Sequence, residues 1–146
     1  MCERCDYRKF LEKVEIRPTK HRLAVLQILG NAPHPLTAQE VFEALQPHCT
    51  INRVTVYRVL ESLVEGGVVE KISAGDRSFR YGLAPNEHHP QHAHFYCRLC
   101  GFMACLPPEK LPSFFHDDST PSLPGVVEKY EIRLDGICHR CLLRGA

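Results

Sequence analysis

No run of eighteen apolar residues occurs in the 146-residue sequence, so nothing in it reads as a membrane-spanning helix. The first stretch, MCERCDYRKFLEKVE, also lacks the apolar segment of a secretory signal, because charge is present from residue 3 onward. The expectation is a cytoplasmic protein with no membrane partner. A dominant charge is missing too. The formal net charge is +1; residues 1–82 hold 12 Lys and Arg against 10 Asp and Glu, and the remainder 6 against 7. Such a balance creates no field that would announce nucleic acid, so any case for DNA must come from motifs. Internal repeats and low-complexity tracts are absent. What is present is a hydrophobic content of 44%, enough to bury a core in one domain or two small ones.

Cysteine is abundant for such a chain. Six of the eight fall in C-x-x-C pairs: Cys2/Cys5, Cys97/Cys100 and Cys138/Cys141. In a reducing cytosol this usage favours metal over disulfides. Two-residue spacing lets both thiolates of a pair reach one ion, and Gly101 permits the tight turn that follows the first pair. Four thiolates at Cys97, Cys100, Cys138 and Cys141 would form a closed tetrahedral zinc shell with no open position, hence a structural site. Two unrelated buried thiol pairs, or a disulfide under oxidation, are the alternatives. Cys2 and Cys5 read as a frayed or redox-labile terminal pair, with a second thiolate site as the other reading. Cys49 reads as a small core residue.

The first half has helical periodicity. Asp6 stands as a cap before YRKFLEKV; Thr19 caps KHRLAVLQILG; and Thr37 with Glu40 forms a capping box ahead of AQEVFEALQ. The fourth segment, INRVTVYRVLESLVEGG, places Val56, Val59, Leu60 and Leu63 on one face. Val54, Arg58, Glu61 and Glu65 lie opposite, with Thr55 and Tyr57 on the flanks. VVEKI and FRYGL, joined by SAGDRS, have hairpin composition. Helices followed by a hairpin describe a winged helix-turn-helix. APNEHHPQ is a polar, proline-broken linker. Beyond it, HFYC and GFMACL flank a turn, PEKLPSFFH is expected to be a short helix, and EKYEIRLD alternates as a strand. That second core is thin and calls for a metal, a partner chain, or both.

His92 and His94 are two apart, so on a strand they share a side and could chelate one ion. A solvated linker holding His88, His89, His92 and His94 is the competing reading. Cys105, on the strand antiparallel to HAHFYC, favours the ion. For nucleic acid, Thr55, Tyr57 and Arg58 lie off the apolar face of the fourth helix, where Arg58 could reach a guanine edge or phosphate and Tyr57 a phosphate or thymine methyl.

RPTKHRLAVLQIL, HPLTAQEVFEAL, VTVYRVLESLVEGGVV, HAHFYCRLCG and the terminal CHRC, in that order, resemble the ferric uptake regulator superfamily of metal-dependent bacterial transcription regulators. The resemblance implies an α+β chain: an N-terminal winged helix-turn-helix DNA-binding domain over 1–82, a hinge linker over 83–91, and a small α/β dimerisation and metal-binding domain over 92–146. It implies structural zinc at Cys97, Cys100, Cys138 and Cys141. It also implies a regulatory divalent metal at His92 and His94, joined by His34, with Cys105 where relatives carry a carboxylate. Glu70 matches a ligand position of some zinc sensors. Tyr57 and Arg58 match DNA-contacting positions, and Arg17 a minor-groove residue. The implied partners are a second copy of the chain and a palindromic operator in double-stranded DNA.

Departures from the family pattern sharpen the choice of metal. Gly82 stands where a ligand is customary, and Gln91 and Tyr130 where a further site would need histidines. Glu87, His88 and His89 in the linker are candidate replacements for the missing ligand. Two imidazoles and a thiolate make a soft site that suits Zn2+ better than Fe2+ or Mn2+. The expectation is therefore a zinc-responsive regulator, read as a repressor, with a ferrous or peroxide sensor as the alternative. A zinc enzyme built on His92, His94 and Cys105 would need a general base, and no carboxylate is clearly placed as one; the chain is read as no enzyme.

Overall fold

Side-chain caps set where the first helices begin. In the computed structural model, which describes residues 5–75, 77–107, 109, 124–126 and 130–145, Asp6 accepts from the backbone N–H of Lys9 at 3.1 Å and starts α1 (Tyr7–Lys13). Thr19 caps α2 (Lys20–Asn31) through the N–H of Arg22. Thr37 and Glu40 form the expected capping box on α3 (Ala38–Leu45). Asn52 accepts from Thr55 N–H at 2.8 Å and opens α4 (Arg53–Glu65). Each cap satisfies an amide that the helix itself leaves without a partner.

α1 and α4 both end in a Schellman motif, with Ile16 N–H donating to Leu11 O and Val68 N–H to Leu63 O. The left-handed residue is Gly67 after α4 but Glu15 after α1.

The helices enclose one apolar cluster. Leu11, Val25, Leu26, Val41, Val56, Leu60 and Leu63 are wholly buried in it. α4 contributes Val56, Leu60 and Leu63 from one face, and Val59 is half-buried at its edge. Truncating such a residue removes transfer energy and leaves a cavity. Leu60→Ala is therefore expected to destabilise the unit by about 2–5 kcal/mol, read as a lower denaturant midpoint at unchanged slope.

A hairpin of β1 (Val69–Ser73) and β2 (Phe79–Leu83) follows α4, paired Val69 to Leu83 and Glu70 to Gly82. Leu36 and Tyr81 exchange backbone hydrogen bonds, which ties the segment before α3 to this wing. Glu61 departs from the expected outward orientation. It sits at the rim of α4 beside the hairpin, where its carboxylate accepts from Lys71 Nζ at 2.8 Å and from Tyr81 Oη at 3.2 Å. Lys71 holds Glu61 below the usual carboxylate range, while burial and the Glu61 charge push Tyr81 up to about 12. The tyrosine thus stays a neutral donor. Residues 84–91 complete this unit: Asn86 bridges to His89, and its side chain accepts from the N–H groups of His88 and His89.

Residues 1–91 form one compact unit and residues 92–146 a second. The second contains β3 (Ala93–Cys97), β4 (Met103–Leu106) and β5 (Arg133–Gly136) in the order β4-β3-β5. β4 is antiparallel to β3 and β5 parallel to it. α5 (His139–Leu143) follows. The alternation expected over 128–135 is met in part: the described strand runs over Arg133–Gly136, Ile132 O accepts from His94 N–H, and residues 128 and 129 lie outside the described residues. Tyr130 lies outside any strand and is exposed. The helix expected over 108–116 and Cys2 lie outside the described residues, Glu109 excepted. Among the described residues, no helix is long and apolar enough to cross a membrane.

Candidate metal centres and nucleic-acid face

β3 alternates. His94 and Tyr96 point to one face of the sheet, and Phe95 and Cys97 to the other. That alternation, with the turn after β3, builds two donor clusters from one ten-residue segment.

The first cluster joins Cys97 and Cys100 to Cys138 and Cys141, with all four sulfurs within 4.8 Å of one another. The turn depends on Gly101, whose φ is 73°, and is closed by Gly101 N–H donating to Cys97 O. Parallel pairing of Cys97 with Gly136 brings the chain's second pair alongside the first, and α5 carries Cys141 back towards Cys97. Sγ of Cys97 lies 3.9 Å from that of Cys141, and Sγ of Cys100 lies 3.7 Å from that of Cys138. A tetrahedral zinc with Zn–S bonds near 2.3 Å requires S···S edges of about 3.8 Å. The residues present therefore fit that ion.

Their electrostatics agree. The N–H of Cys138, 3.3 Å from Cys97 Sγ, together with the N–H groups of Cys100 and Leu99, lowers the Cys97 thiol to about 6. The N–H of Phe102 lowers Cys100. Burial, reinforced by the neighbouring sulfurs, pushes Cys141 up to about 12. Four thiolates this close cannot all ionise without a cation among them. Arg140, inside the CHRC motif, hydrogen-bonds to Cys100 and is held more firmly protonated by the surrounding sulfurs. Sequence reasoning passed over it, although a cation between two paired cysteines was the available signal.

The second cluster is His92, His94 and Cys105, whose donor atoms also lie within 4.8 Å of one another. His94 is directly opposite Cys105 in the β3–β4 pairing. The two imidazoles meet edge to face with centroids 4.7 Å apart. His94 is only 2% exposed. Burial, and secondarily the His92 charge, lowers it to about 4, so at neutral pH it is the uncharged imidazole that a metal requires. Cys105 is exposed. Three donors of nitrogen and sulfur suit zinc and leave a fourth position open.

The remaining candidate ligands belong to the first unit. His34 is half-buried, with Nδ1 3.2 Å from Pro35 O. A carbonyl only accepts, so the contact is a hydrogen bond in the tautomer that carries a proton on Nδ1. Glu70 pairs with Gly82; a Cβ at position 82 would lie 3.8 Å from the Glu70 carboxylate and 4.0 Å from Pro35. Glu87 and His88 are exposed, and His89 is half-buried in the Asn86 turn. Gln91 is half-buried.

α4 presents its other side to solvent. Tyr57 is 51% and Val54 59% exposed, Arg58 is exposed, and Thr55 is half-buried. Arg53 stacks over Phe42 with its guanidinium 5.4 Å from the ring centre. Arg17 is exposed just before α2, and its carbonyl accepts from Arg22.

Comparison with known proteins gives a consistent family. Residues 13–110 match the ferric uptake regulator family. The chain is 34% identical over 95 residues to the ferric uptake regulation protein of Haemophilus influenzae, a match covering 64% of this chain and 63% of that protein. The chain thus spans somewhat under two thirds of the length of the curated relatives it first matches. Among solved structures, the ferric uptake regulator of Pseudomonas aeruginosa with manganese superposes with a TM-score of 0.73 at 20% identity, covering 92% of this chain and 99% of that one. A zinc uptake regulator complexed with zinc and DNA gives 0.58 at 25% identity, covering 94% and 91%.

Proposed function

The chain belongs to the ferric uptake regulator family, and on that premise we propose that it is a metal-responsive, DNA-binding transcriptional regulator that senses Zn2+. The observation that carries this reading is the donor set of the second cluster: two imidazoles and a thiolate, with no carboxylate among the three. Soft donors favour zinc over ferrous iron or manganese. The relatives do not decide the metal by themselves, since one is named for ferric uptake, one holds manganese and one holds zinc.

In this proposal the four-cysteine cluster holds a structural zinc and never exchanges it with the signal. His92, His94 and Cys105 hold the sensed ion, and His34 supplies the fourth donor in the loaded state. Glu70, Glu87, His88 and His89 are the alternatives in the absence of a ligand at Gly82. The ion binds one arrangement of the two domains more tightly than others and so raises its population, which is all that a corepressor requires. The protein works as a homodimer, which places two α4 helices on the half-sites of a palindrome. Tyr57, Thr55 and Arg58 read the major groove and Arg17 the minor groove. Repression is the proposed outcome, in the cytoplasm.

The test is duplex binding as a function of free metal. Duplexes are first enriched on the zinc-loaded protein from a random library, and affinity is then measured against free Zn2+, Fe2+ and Mn2+. Restoration of binding at the lowest free concentration by zinc is expected. Restoration by iron or manganese at lower concentrations would transfer the reading to the ferrous or peroxide sensors, and failure to enrich any duplex would end the DNA reading. On the enriched duplex, Arg58→Ala is expected to cost about 1–3 kcal/mol and to relax preference at one base position, as seen by competition with singly substituted duplexes.

A further inference from the structure

The two donor clusters differ in the charge they would carry when loaded. Four thiolates around one divalent cation leave two negative charges on the first, whereas two neutral imidazoles and one thiolate leave the second with one positive charge. An anionic centre of that kind is stabilised by donors and cations that the chain places against it.

Backbone amides supply part of that compensation. The N–H groups of Cys138, Cys100 and Leu99 serve Cys97, and the N–H of Phe102 serves Cys100. Cys100 is nonetheless the exposed member of the cluster, while Cys97 and Cys141 are buried and Cys138 is half-buried. The guanidinium of Arg140 hydrogen-bonds to Cys100, and its charge also acts on Cys138 and Cys141. α5 places it there: Cys138 precedes the helix, Cys141 turns inward to within 3.9 Å of Cys97, and Arg140 between them stays at the surface. Among the described residues no carboxylate forms an ion pair with Arg140, so the cluster is its counter-ion.

We propose that Arg140 is a positioning residue of the structural centre: its guanidinium holds the exposed Cys100 thiolate on the zinc and withholds that sulfur's lone pairs from electrophiles. The inference rests on the structural-zinc reading above and goes beyond it, since it says why that ion stays in place while the sensed ion exchanges. Arginine is charged at every working pH, so the protection is constant.

The test compares full-length, zinc-loaded R140Q and R140K with the wild type. One measurement is the rate at which iodoacetamide, a neutral alkylating agent, labels each cysteine, read site by site at early times by peptide mass spectrometry. In that reaction a sulfur lone pair forms an S–C bond, the C–I bond breaks, iodide leaves, and the Zn–S bond is lost. The other is zinc affinity by equilibrium competition with a chromophoric chelator, with native mass spectrometry counting the ions. R140Q keeps an amide donor without the charge. It is expected to label at Cys100 about three- to tenfold faster and to hold the structural zinc about three- to tenfold more weakly, the scale of a charge-assisted hydrogen bond discounted for exposure. Added salt should narrow both gaps. R140K restores the charge and should stay near the wild type, and Cys105, a donor of the other cluster, should label alike in all three. Equal Cys100 rates and zinc affinities in the wild type and a folded R140Q would overturn the inference alone. So would an R140K that behaves as R140Q, or early labelling of the buried Cys97 and Cys141, since either points to loosened packing instead of lost charge. A wild type that holds no zinc on the four cysteines would overturn the structural-zinc reading, and this inference with it.

Discussion

Cys97→Ser is expected to release the zinc proposed for the four-cysteine cluster and unfold the second unit, leaving the first unit's own transition intact. Removing one thiolate exposes three crowded sulfurs to mutual repulsion, and it deletes a side chain that is itself wholly buried. The described core of residues 92–146 is small: Ala93, Tyr96, Cys97, Met103 and Cys141 are its buried apolar members. Structural zinc contributes on the order of 10 kcal/mol in minimal zinc domains, far more than such a core can supply. Native mass spectrometry should show the loss of one zinc, and size exclusion the loss of the proposed dimer. The Leu60→Ala variant is the complement, lowering the other transition while keeping the metal. A zinc-free Cys97→Ser protein that stays folded and dimeric would show that the cluster is not the staple of this unit.

His92→Ala with His94→Ala should act on the signal and spare the scaffold. The double variant is expected to keep its structural zinc and its circular dichroism, yet to bind the enriched duplex with an affinity that no longer depends on free zinc. Coupling energies between sites of about 1–3 kcal/mol set the scale, so a metal effect of about 5- to 150-fold should vanish. Because His94 is buried, part of any loss could come from the hole left behind; His92→Ala alone, at a half-buried position, separates the two causes. An unchanged metal dependence in both variants would move the sensed ion elsewhere.

What the sequence made legible was whatever is local. Asp6, Thr19 and the Thr37–Glu40 box were readable because a cap is a contact across three residues, and the alternation around His92 and His94 because a strand's period is two. Pairings between distant segments were not. Nothing in the residues from 93 to 97 indicates that their parallel neighbour is Arg133–Gly136, and α5, at five residues, is too short to show a period. Glu61 illustrates the same limit. Its helical position reads as solvated, and only the return of the hairpin beside α4 supplies Lys71 and Tyr81 as partners. The distances that make four cysteines a tetrahedron depend on that non-local pairing, although the spacing of each pair was plain from the start.

The alternation of β3 has a consequence for how this segment can change. His94 and Cys97 are separated by an odd number of steps, so the strand sends them to opposite faces, one towards each cluster. Lengthening or shortening the stretch between them by a single residue would rotate one donor onto the other's face and dismantle both centres at once. Exchanging Phe95 for another apolar residue alters only packing. Between these two ligands, parity is under tighter constraint than composition.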